Sequence, residues 1–455
     1  MSKKKNSYVC QSCGYESPKW LGKCPECASW NTMTEEVVET KAKSASVHKK
    51  NTVSPFSLQD IPMNEQGRIN TGLTEFDRVA GGGIVPGSVL LLSGAPGIGK
   101  STLLLQIGSA LASNGKKVLY ISAEESLQQV RLRADRLDIH SDRYFLANET
   151  DVDQIEALIL DQKPDLVIVD SIQTIFSDQM ESLPGTVSQV RWCAHRLTQT
   201  AKTQGIPLIL VGHVTKDGTI AGPRVLEHLV DTLLLFEGDQ KHLYRLLRSL
   251  KNRFGSTQEV GLFEMTDQGV SEVTDPSAYC LSREDLNMPG TTVAVTIEGA
   301  RAILVEIQAL VTPTCYAVPQ RTVTGFDQKK LTIILAVLQK RLGLKLATQD
   351  VFVNVAGGMR LSEPGVDMAV AMAILSSYYD QPIKPDTAFV GEIGLTGEIR
   401  RVAHIETRVS EASRLGFKHI LAPEYKNLSN GTGSKSTLYQ VKTLNEAKEK
   451  SFINA

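Results

Sequence analysis

The chain has 455 residues, of which 42% are hydrophobic and 22% charged, and its formal net charge is −1. At roughly 150 residues per domain, this length predicts two or three domains with a sizeable core. The near-zero charge excludes a bulk positive field that would attract nucleic acid, so such binding would need a local patch or a surface repeated by oligomerisation. We find no run of about 18 apolar residues, which predicts a cytoplasmic protein without a membrane partner.

Four of the seven cysteines lie close together near the start of the chain. Cys10 and Cys13 form one C-x-x-C pair, and Cys24 and Cys27 form a second. Each pair lets a tight turn direct two thiolates at one ion, and two pairs complete a closed tetrahedral Zn²⁺ site. Because four thiolates leave no position for a water molecule, such a site is structural rather than catalytic. The alternative is four thiols in a disordered tail; the paired spacing favours a zinc ribbon over residues 1–30.

Composition divides the rest of the chain into three segments. Residues 31–56 mix Lys, Glu, Thr and Ser without apolar periodicity, and they predict a flexible linker. Residues 57–272 alternate short apolar runs with helical stretches, a pattern typical of a mostly parallel sheet covered by helices. Residues 273–455 contain long alternating strands and then helices, which predict a separate α+β domain. The predicted fold class is therefore α/β for the core, with a small head before it and an α+β domain after it.

A phosphate-binding pattern opens the core. The segment "GAPGIGKS" (94–101) matches G-x-x-x-x-G-K-[ST] and follows the apolar run "VLLLS". Its glycines permit backbone angles that turn N–H groups toward phosphate oxygens, Lys100 supplies a positive charge, and the Ser101 hydroxyl can hold Mg²⁺. A glycine-rich turn without a ligand is the alternative, and the strand-then-helix context disfavours it. ATP and Mg²⁺ are thus the predicted cofactors, bound by Gly94, Ala95, Pro96, Gly97, Ile98, Gly99, Lys100, Ser101 and Thr102.

Hydrolysis also needs carboxylates that hold the metal and orient the attacking water. Asp170 ends the apolar run "DLVIVD", where its carboxylate would hold Mg²⁺ through water. The run "VLYISAEES" ends in two glutamates, and the S-x-x-E spacing of Ser122 and Glu125 predicts a capping box. Glu124 is then left to orient water; on local spacing alone, a solvated first-turn glutamate favoured by the helix dipole is an equal alternative.

The entry to the core resembles a known family. The stretch "NTGLTEFDRVAGGGIVPGSVLLLSGAPGIGKSTLLLQ" is similar to the start of the RecA-like ATPase core, which recombinases share with ring helicases of the DnaB type. RecA carries its water-positioning glutamate in a similar strand-end Ala-Glu, which implies that role for Glu124. With the four-cysteine head and "KNRFG" (251–255), nearly the whole chain resembles the bacterial RadA (Sms) family of DNA-repair proteins.

The resemblance implies an activity and its partners. It implies a DNA-dependent ATPase that forms a homohexameric ring, moves along single-stranded DNA as a helicase or translocase, and drives branch migration. The implied partners are single-stranded and branched DNA and the RecA recombinase, in homologous recombination and DNA repair.

The pentapeptide "KNRFG" lies far along the chain from the phosphate-binding segment. In RecA-like assemblies a neighbouring subunit supplies basic residues to the γ-phosphate, and Lys251 and Arg253 match those positions. The resemblance therefore implies that both act catalytically in trans, Arg253 as a finger that stabilises charge on the leaving phosphoryl group. A surface basic pair on a strand is the alternative.

Two segments correspond to the channel loops of RecA-like proteins. "LILVGHVTKDGTIAGPRVLEH" contains separated basic residues in a glycine-rich stretch, which suits a single-stranded backbone. We predict DNA contact through Lys216 and Arg224, and the resemblance implies that His213 senses the γ-phosphate. Residues 177–185, "SDQMESLPG", resemble the first loop but are acidic. The alternative for both segments is a solvated connection.

The tail resembles the proteolytic domain of Lon, which works by a Ser-Lys dyad. In "EPGVDMA" the nucleophile position is Asp367, and the later lysine position is Arg408. A carboxylate is no activated hydroxyl and an arginine stays protonated, while the nearby Ser362 precedes the turn. We therefore predict a proteolytically inactive scaffold, with Asp367 as a helix-start acid favoured by the dipole.

Two alternatives to the DNA motor remain from the sequence. A nucleotide-gated assembly ATPase would hydrolyse ATP without responding to DNA. An ATP-dependent protease is disfavoured by the missing dyad.

Overall fold

The structure is a computed structural model. It describes residues 4–11, 14–26, 28–39, 57, 67–180, 182–213, 224–238, 244–273, 275, 277, 280–281, 287–425 and 436–452. Two compact units divide the chain, residues 1–273 and 274–455. Within the described ranges, no helix is long and apolar enough to cross a membrane.

The first unit begins with a small antiparallel sheet. Its strands are β1 (Lys4–Cys10), β2 (Glu16–Ser17) and β3 (Met33–Glu39), in the order β2-β1-β3. Strand β3 pairs with β1 along its whole length, from Cys10 opposite Met33 to Lys4 opposite Glu39. The prediction of a linker beginning at residue 31 is therefore wrong at its start, because backbone pairing extends the ribbon to residue 39. Residues 40–56 of that linker lie outside the described residues.

A large sheet forms the body of the first unit. Its strands are β4 (Val89–Gly94), β5 (Val118–Ser122), β6 (Tyr144–Asn148), β7 (Leu166–Asp170), β8 (Leu208–His213), β9 (Thr232–Glu237), β10 (Tyr244–Asn252), β11 (Val260–Thr266) and β12 (Gly269–Glu272). In the described part of the chain their order is β12-β11-β10-β9-β4-β8-β7-β5-β6. Strands β4 to β9 pair in parallel and β9 to β12 in antiparallel fashion.

Helices cover both faces of this sheet. They are α1 (Thr74–Ala80), α2 (Lys100–Ser113), α3 (Leu127–Arg136), α4 (Val152–Gln162), α5 (Val187–Gln204) and α6 (Arg224–Leu229). Separate apolar clusters lie on the two sides, one around α2 and one around α4 and α5. Every residue of β4, β5 and β7 is buried, which explains their continuous apolar runs.

Helix α3 begins differently from the prediction. Its N-cap is Ser126, whose hydroxyl accepts from the Gln129 N–H, while the Gln129 side chain accepts from the Ser126 N–H at 2.9 Å. The predicted capping box of Ser122 and Glu125 is therefore wrong. Ser122 instead donates its hydroxyl to the Glu125 carbonyl (2.6 Å), and the Glu125 carboxylate pairs with Arg133 (2.6 Å).

The second unit is an α+β domain. Its strands are β13 (Thr291–Glu298), β14 (Arg301–Pro313), β15 (Arg321–Thr324), β16 (Gln349–Val355), β17 (Thr387–Phe389), β18 (Glu392–Ile393), β19 (Ile399–Arg400), β20 (His419–Pro423) and β21 (Thr437–Val441). Its helices are α7 (Gln328–Leu342), α8 (Asp367–Tyr379), α9 (Ile405–Arg414) and α10 (Leu444–Ser451). A mixed sheet runs β15-β16-β14-β13-β17-β20-β21, and α8 is buried against β13 and β14.

Candidate active site

The candidate site lies where four parallel strands end at one edge of the large sheet. Strands β4 and β8 end in register at Gly94 and His213, and β5 and β7 end in register at Ser122 and Asp170. The carboxyl ends of parallel strands are the usual place for ligands in open α/β sheets. The fold therefore brings together residues that the sequence separates widely.

The phosphate-binding segment has the backbone that its glycines were predicted to allow. Gly97 and Gly99 have positive φ angles of 74° and 112°, which side chains other than glycine rarely adopt. A Cβ atom at Gly94 would collide with the backbone carbonyl of Phe236 on the neighbouring strand. Ile98 is buried in the core below the loop, while residues 95–97 are exposed. The tip is thus accessible and its base is fixed.

Lys100 is the first residue of α2 and is almost completely buried, with 4% exposure. Its ammonium donates to the carbonyls of Gly94 (2.8 Å) and Ala95 (3.0 Å) and lies 3.3 Å from His213 Nδ1. Burial lowers the pKa of Lys100, and the negative charges of Asp170 and Glu124 oppose that change. Ser101 and Thr102 follow in the first turn of the helix.

Glu124 lies at the centre of a hydrogen-bonded group that crosses the site. Its Oε1 accepts from the Ser171 hydroxyl and lies 3.1 Å from His213 Nε2. The bond from His213 is the main cause that holds the pKa of Glu124 below its ordinary value, with Ser171 and Lys100 contributing and burial opposing. Because Nδ1 faces the Lys100 ammonium, the network assigns the proton of a neutral His213 to Nε2.

Asp170 is held from the opposite side. Its Oδ2 accepts a hydrogen bond of 2.6 Å from the hydroxyl of Tyr120, which is fully buried on β5. Tyr120 and Ser171 were missed by the sequence reasoning. In its local sequence Tyr120 looks like one more buried strand residue, and its partner Asp170 is 50 positions away. Only the adjacency of Ser171 to Asp170 was a usable signal.

These residues fit a nucleoside triphosphate and its metal ion. The turned loop supplies N–H donors at the start of a helix, which is an anion site by geometry, and Lys100 adds charge. Ser101 and Asp170 would hold Mg²⁺, which would neutralise charge on the phosphates. Glu124, ionised and fixed by two donors, is able to accept a hydrogen bond from an attacking water.

The predicted DNA-facing residues are only partly described. Lys216 lies outside the described residues, and Arg224 opens α6 without a described side chain. The segment 177–185 is anchored by Gln189 of α5, whose amide bonds the Ser177 N–H (3.0 Å) and the Ser182 carbonyl (2.8 Å). A loop held in this way has less freedom to follow a nucleic-acid strand.

The structure places Lys251 and Arg253 away from the phosphate-binding loop of their own chain. The Arg253 guanidinium pairs with Asp231 at 3.1 Å, and Asp231 bonds Val89, the first residue of β4. The loop follows Gly94, at the other end of the same strand. A six-residue strand spans about 17–20 Å, so Arg253 lies at the opposite edge of the sheet. Neither residue joins the Lys100–Glu124–His213 group of its own chain.

The ribbon contains two turns with matching hydrogen bonds. The Cys10 N–H donates to the Tyr15 carbonyl and the Cys10 carbonyl accepts from Gly14, at 2.9 and 2.8 Å. Cys24 repeats this pattern: its N–H donates to the Ser29 carbonyl and its carbonyl accepts from the Ala28 N–H, both at 2.9 Å. Cys10 and Cys24 are buried in one cluster with Met33. This geometry fits a metal held by paired knuckles; Cys13 and Cys27 lie outside the described residues.

In the second unit, the two positions of a Lon-type dyad have other partners. Asp367 starts α8 and pairs with Lys330 at 3.1 Å, and Ser362 before it is exposed. Arg408 is 2% exposed, and its guanidinium binds both oxygens of Glu363 at 2.6 and 2.7 Å. A bidentate pair of this kind holds Arg408 rigidly in a structural role.

Fold and site define a P-loop ATPase of the RecA-like class, with a metal-binding ribbon before it in the sequence and a Lon-like domain after it. Family models described as "Rubredoxin metal binding domain", "AAA domain" and "Subunit ChlI of Mg-chelatase" match residues 8–35, 52–219 and 315–426, respectively.

Close relatives cover nearly the whole chain. The DNA repair protein RadA of Bacillus subtilis is 50% identical over 439 residues, 96% of either chain. That of Listeria monocytogenes is 49% identical over 453 residues, 99% of either chain. That of Streptococcus pyogenes serotype M1 is 50% identical over 425 residues, 93% of this chain and 94% of the relative. The chain belongs to the RadA family of DNA repair proteins, as its sequence predicted.

Proposed function

We propose that this protein is a DNA-dependent ATPase that moves along single-stranded DNA as a homohexameric ring and promotes branch migration of recombination intermediates. The observation that carries the proposal is the position of His213. This residue contacts both Lys100 and Glu124, and it is the last described residue before the segment that contains Lys216. A change at the γ-phosphate would therefore reach the glycine-containing segment that carries Lys216 through one side chain.

In the proposed reaction, Glu124 orients the water that attacks the γ-phosphate of ATP. Lys100 neutralises charge on the phosphates, and Ser101 and Asp170 would hold Mg²⁺, which would neutralise further charge there. Arg253 of a neighbouring subunit, with Lys251 beside it, completes the site in trans. The location of Arg253 at the sheet edge opposite its own phosphate-binding loop supports this arrangement.

The proposed partners are single-stranded and branched DNA, the RecA recombinase and further copies of this chain. The relatives are named DNA repair proteins, which supports a DNA substrate. We assign Zn²⁺ to the ribbon because four thiolates in two knuckles match its tetrahedral preference. The Lon-like domain acts as a proteolytically inactive scaffold, which the separate partners of Asp367 and Arg408 support.

ATP-driven unwinding of a forked DNA duplex tests the proposed function. The unmodified protein is expected to unwind the fork, and the Lys100→Ala variant is expected to fail. DNA affinity measured at several salt concentrations is a second test, because contacts to DNA phosphates make the affinity fall as the salt concentration rises. Replacement of Lys216 and Arg224 together should flatten that dependence.

The test also distinguishes the alternative functions. Intact ATP hydrolysis that ignores DNA, with no unwinding at any salt concentration, would reject the motor and leave a nucleotide-gated assembly ATPase. A mixing experiment tests whether Arg253 acts in trans. Arg253→Ala subunits mixed with Lys100→Ala subunits should recover part of the hydrolysis that each variant lacks alone, whereas mixtures no better than the separate variants would reject the finger.

A further inference from the structure

Asp231 is a buried acid between α6 and β9, and its carboxylate contacts three elements of the fold. Its Oδ2 accepts from the Val89 N–H at 3.1 Å, and its own N–H donates to the Val89 carbonyl at 2.9 Å. Its Oδ1 accepts from the ammonium of Lys202 and from Arg253 Nη1, both at 3.1 Å. The side chain is 4% exposed. A carboxylate fixed in this way has one position in the folded protein.

Arg253 is the exposed partner of this pair. Its side chain is 54% exposed, and an exposed arginine without an anchor samples many rotamers. Here the backbone N–H of Arg253 also donates to the Asp231 carbonyl at 3.1 Å, so both ends of the residue are tied to Asp231. A guanidinium has five donors, and among the described residues one of them is used, on Asp231. The others remain for an acceptor such as a phosphate.

Lys251 fastens the same strand end to α6. Its ammonium donates to the carbonyls of Glu227 (2.7 Å), in the last turn of that helix, and Val230 (2.9 Å), just beyond its end. Cations at a helix C-terminus are favoured by the unpaired carbonyls and the helix dipole. The end of β10, directly before Arg253, is thus docked on the helix that follows segment 214–223, the segment that contains Lys216.

We propose that Asp231 is a positioning residue for Arg253, and that it sets the orientation in which the guanidinium meets the nucleotide of a neighbouring subunit. This inference rests on the proposed function, in which Arg253 acts in trans. Asp231 touches neither the nucleotide nor DNA; it acts through Arg253 alone. Because it also binds the first residue of β4, it joins the finger of one site to the strand that leads into the next site.

The test compares steady-state ATP hydrolysis, with single-stranded DNA present, in Asp231→Asn, Arg253→Ala and the double variant. Asp231→Asn keeps the size of the side chain and an oxygen for the Val89 N–H but removes the charge. Its kcat should fall by up to about 10²-fold, the order of loss that follows from misplacing a catalytic group. The KM for ATP should change by less than about threefold, since Lys100 and its loop are untouched. Lys202→Met is the matched control, because it removes the other cation of Asp231, and it should retain the original kcat.

The double variant decides between positioning and a merely structural role. If Asp231 acts through Arg253, the kcat of the double variant equals that of Arg253→Ala. Losses that multiply in the double variant, or a loss that appears mainly in KM, would overturn the inference. An Arg253→Ala variant with the original kcat would instead reject the trans finger, so the two failures are distinguishable.

Asp231→Glu guards against a folding defect in Asp231→Asn. It keeps the charge and displaces the carboxylate by one methylene, so it should lower kcat while retaining the pairing with Lys202. If one of the two variants does not assemble, the other carries the same comparison with Arg253→Ala. A folded Asp231→Glu protein with the original kcat would count against the inference.

Discussion

Replacing Asp367 by asparagine is expected to stabilise the second unit at pH 8. Burial raises the pKa of Asp367 to about 6, while Lys330 opposes the change. In the unfolded chain an aspartate ionises near 3.8. The folded state therefore retains a proton through a pH range in which the unfolded state has released it. Stability falls as the pH rises through this range, because ionisation favours the unfolded chain.

The magnitude follows from that difference of about two pKa units. At ~1.4 kcal/mol per unit, the ionised carboxylate costs about 3 kcal/mol of unfolding free energy above pH 6. Asparagine resembles the neutral acid and keeps an oxygen for the Lys330 ammonium, which is itself partly exposed. Asp367→Asn should therefore gain up to about 3 kcal/mol at pH 8 and almost nothing at pH 4.

The assay must report the second unit by itself. All three tryptophans, at positions 20, 30 and 192, lie in the first unit, so their fluorescence serves as an internal control. Hydrogen exchange of peptides from α8, at pH 4 and 8 after correction for intrinsic rates, reports the second unit. Lys330→Met is the opposite control: it removes the partner of a buried acid and should destabilise α8 at pH 8. A gain that is equal at both pH values, or a loss at pH 8, would refute the reasoning.

Three further predictions concern the site and the ribbon. Glu124→Gln should lower ATP hydrolysis by about 10²–10⁴-fold while fluorescent nucleotide still binds, and weakened binding would argue against its role in orienting water. Tyr120→Phe removes the hydrogen bond to Asp170, so the Mg²⁺ concentration for half-maximal hydrolysis should rise by about 10–100-fold; an unchanged titration contradicts the metal assignment. Metal analysis is expected to find about one equivalent of zinc in the unmodified protein and none in Cys24→Ser, and retention of one equivalent by the variant would disprove the four-thiolate site.

Sequence reasoning located the candidate site because parallel strands buried on both faces leave continuous apolar runs. The runs that end at Gly94, Asp170 and His213 are such strands, and their carboxyl ends lie at the same sheet edge. Family resemblance then supplied roles that local spacing left open, as for Glu124.

The same reasoning failed where two local patterns overlap. "SAEESLQQ" contains both an S-x-x-E and an S-x-x-Q box, and either one can start a helix. The fold uses the second, and the Glu125 carboxylate pairs with Arg133 instead of capping the helix. Such a choice depends on tertiary contacts that spacing does not contain. Asp231 was overlooked for the same reason, since its bond to Val89 joins positions 142 residues apart.

The opposite placement of Arg253 and the phosphate-binding loop has a consequence for counting active sites. If each site takes its finger from the next copy, contacts are head-to-tail, and an open chain of n copies has n − 1 complete sites. One terminal copy then holds a nucleotide that no finger contacts, and the other terminal copy presents a finger that contacts no nucleotide. Only closure of the ring makes the number of complete sites equal to the number of copies. ATP turnover per copy should thus rise with assembly and reach its maximum at ring closure. An isolated copy, however well folded, should hydrolyse almost no ATP.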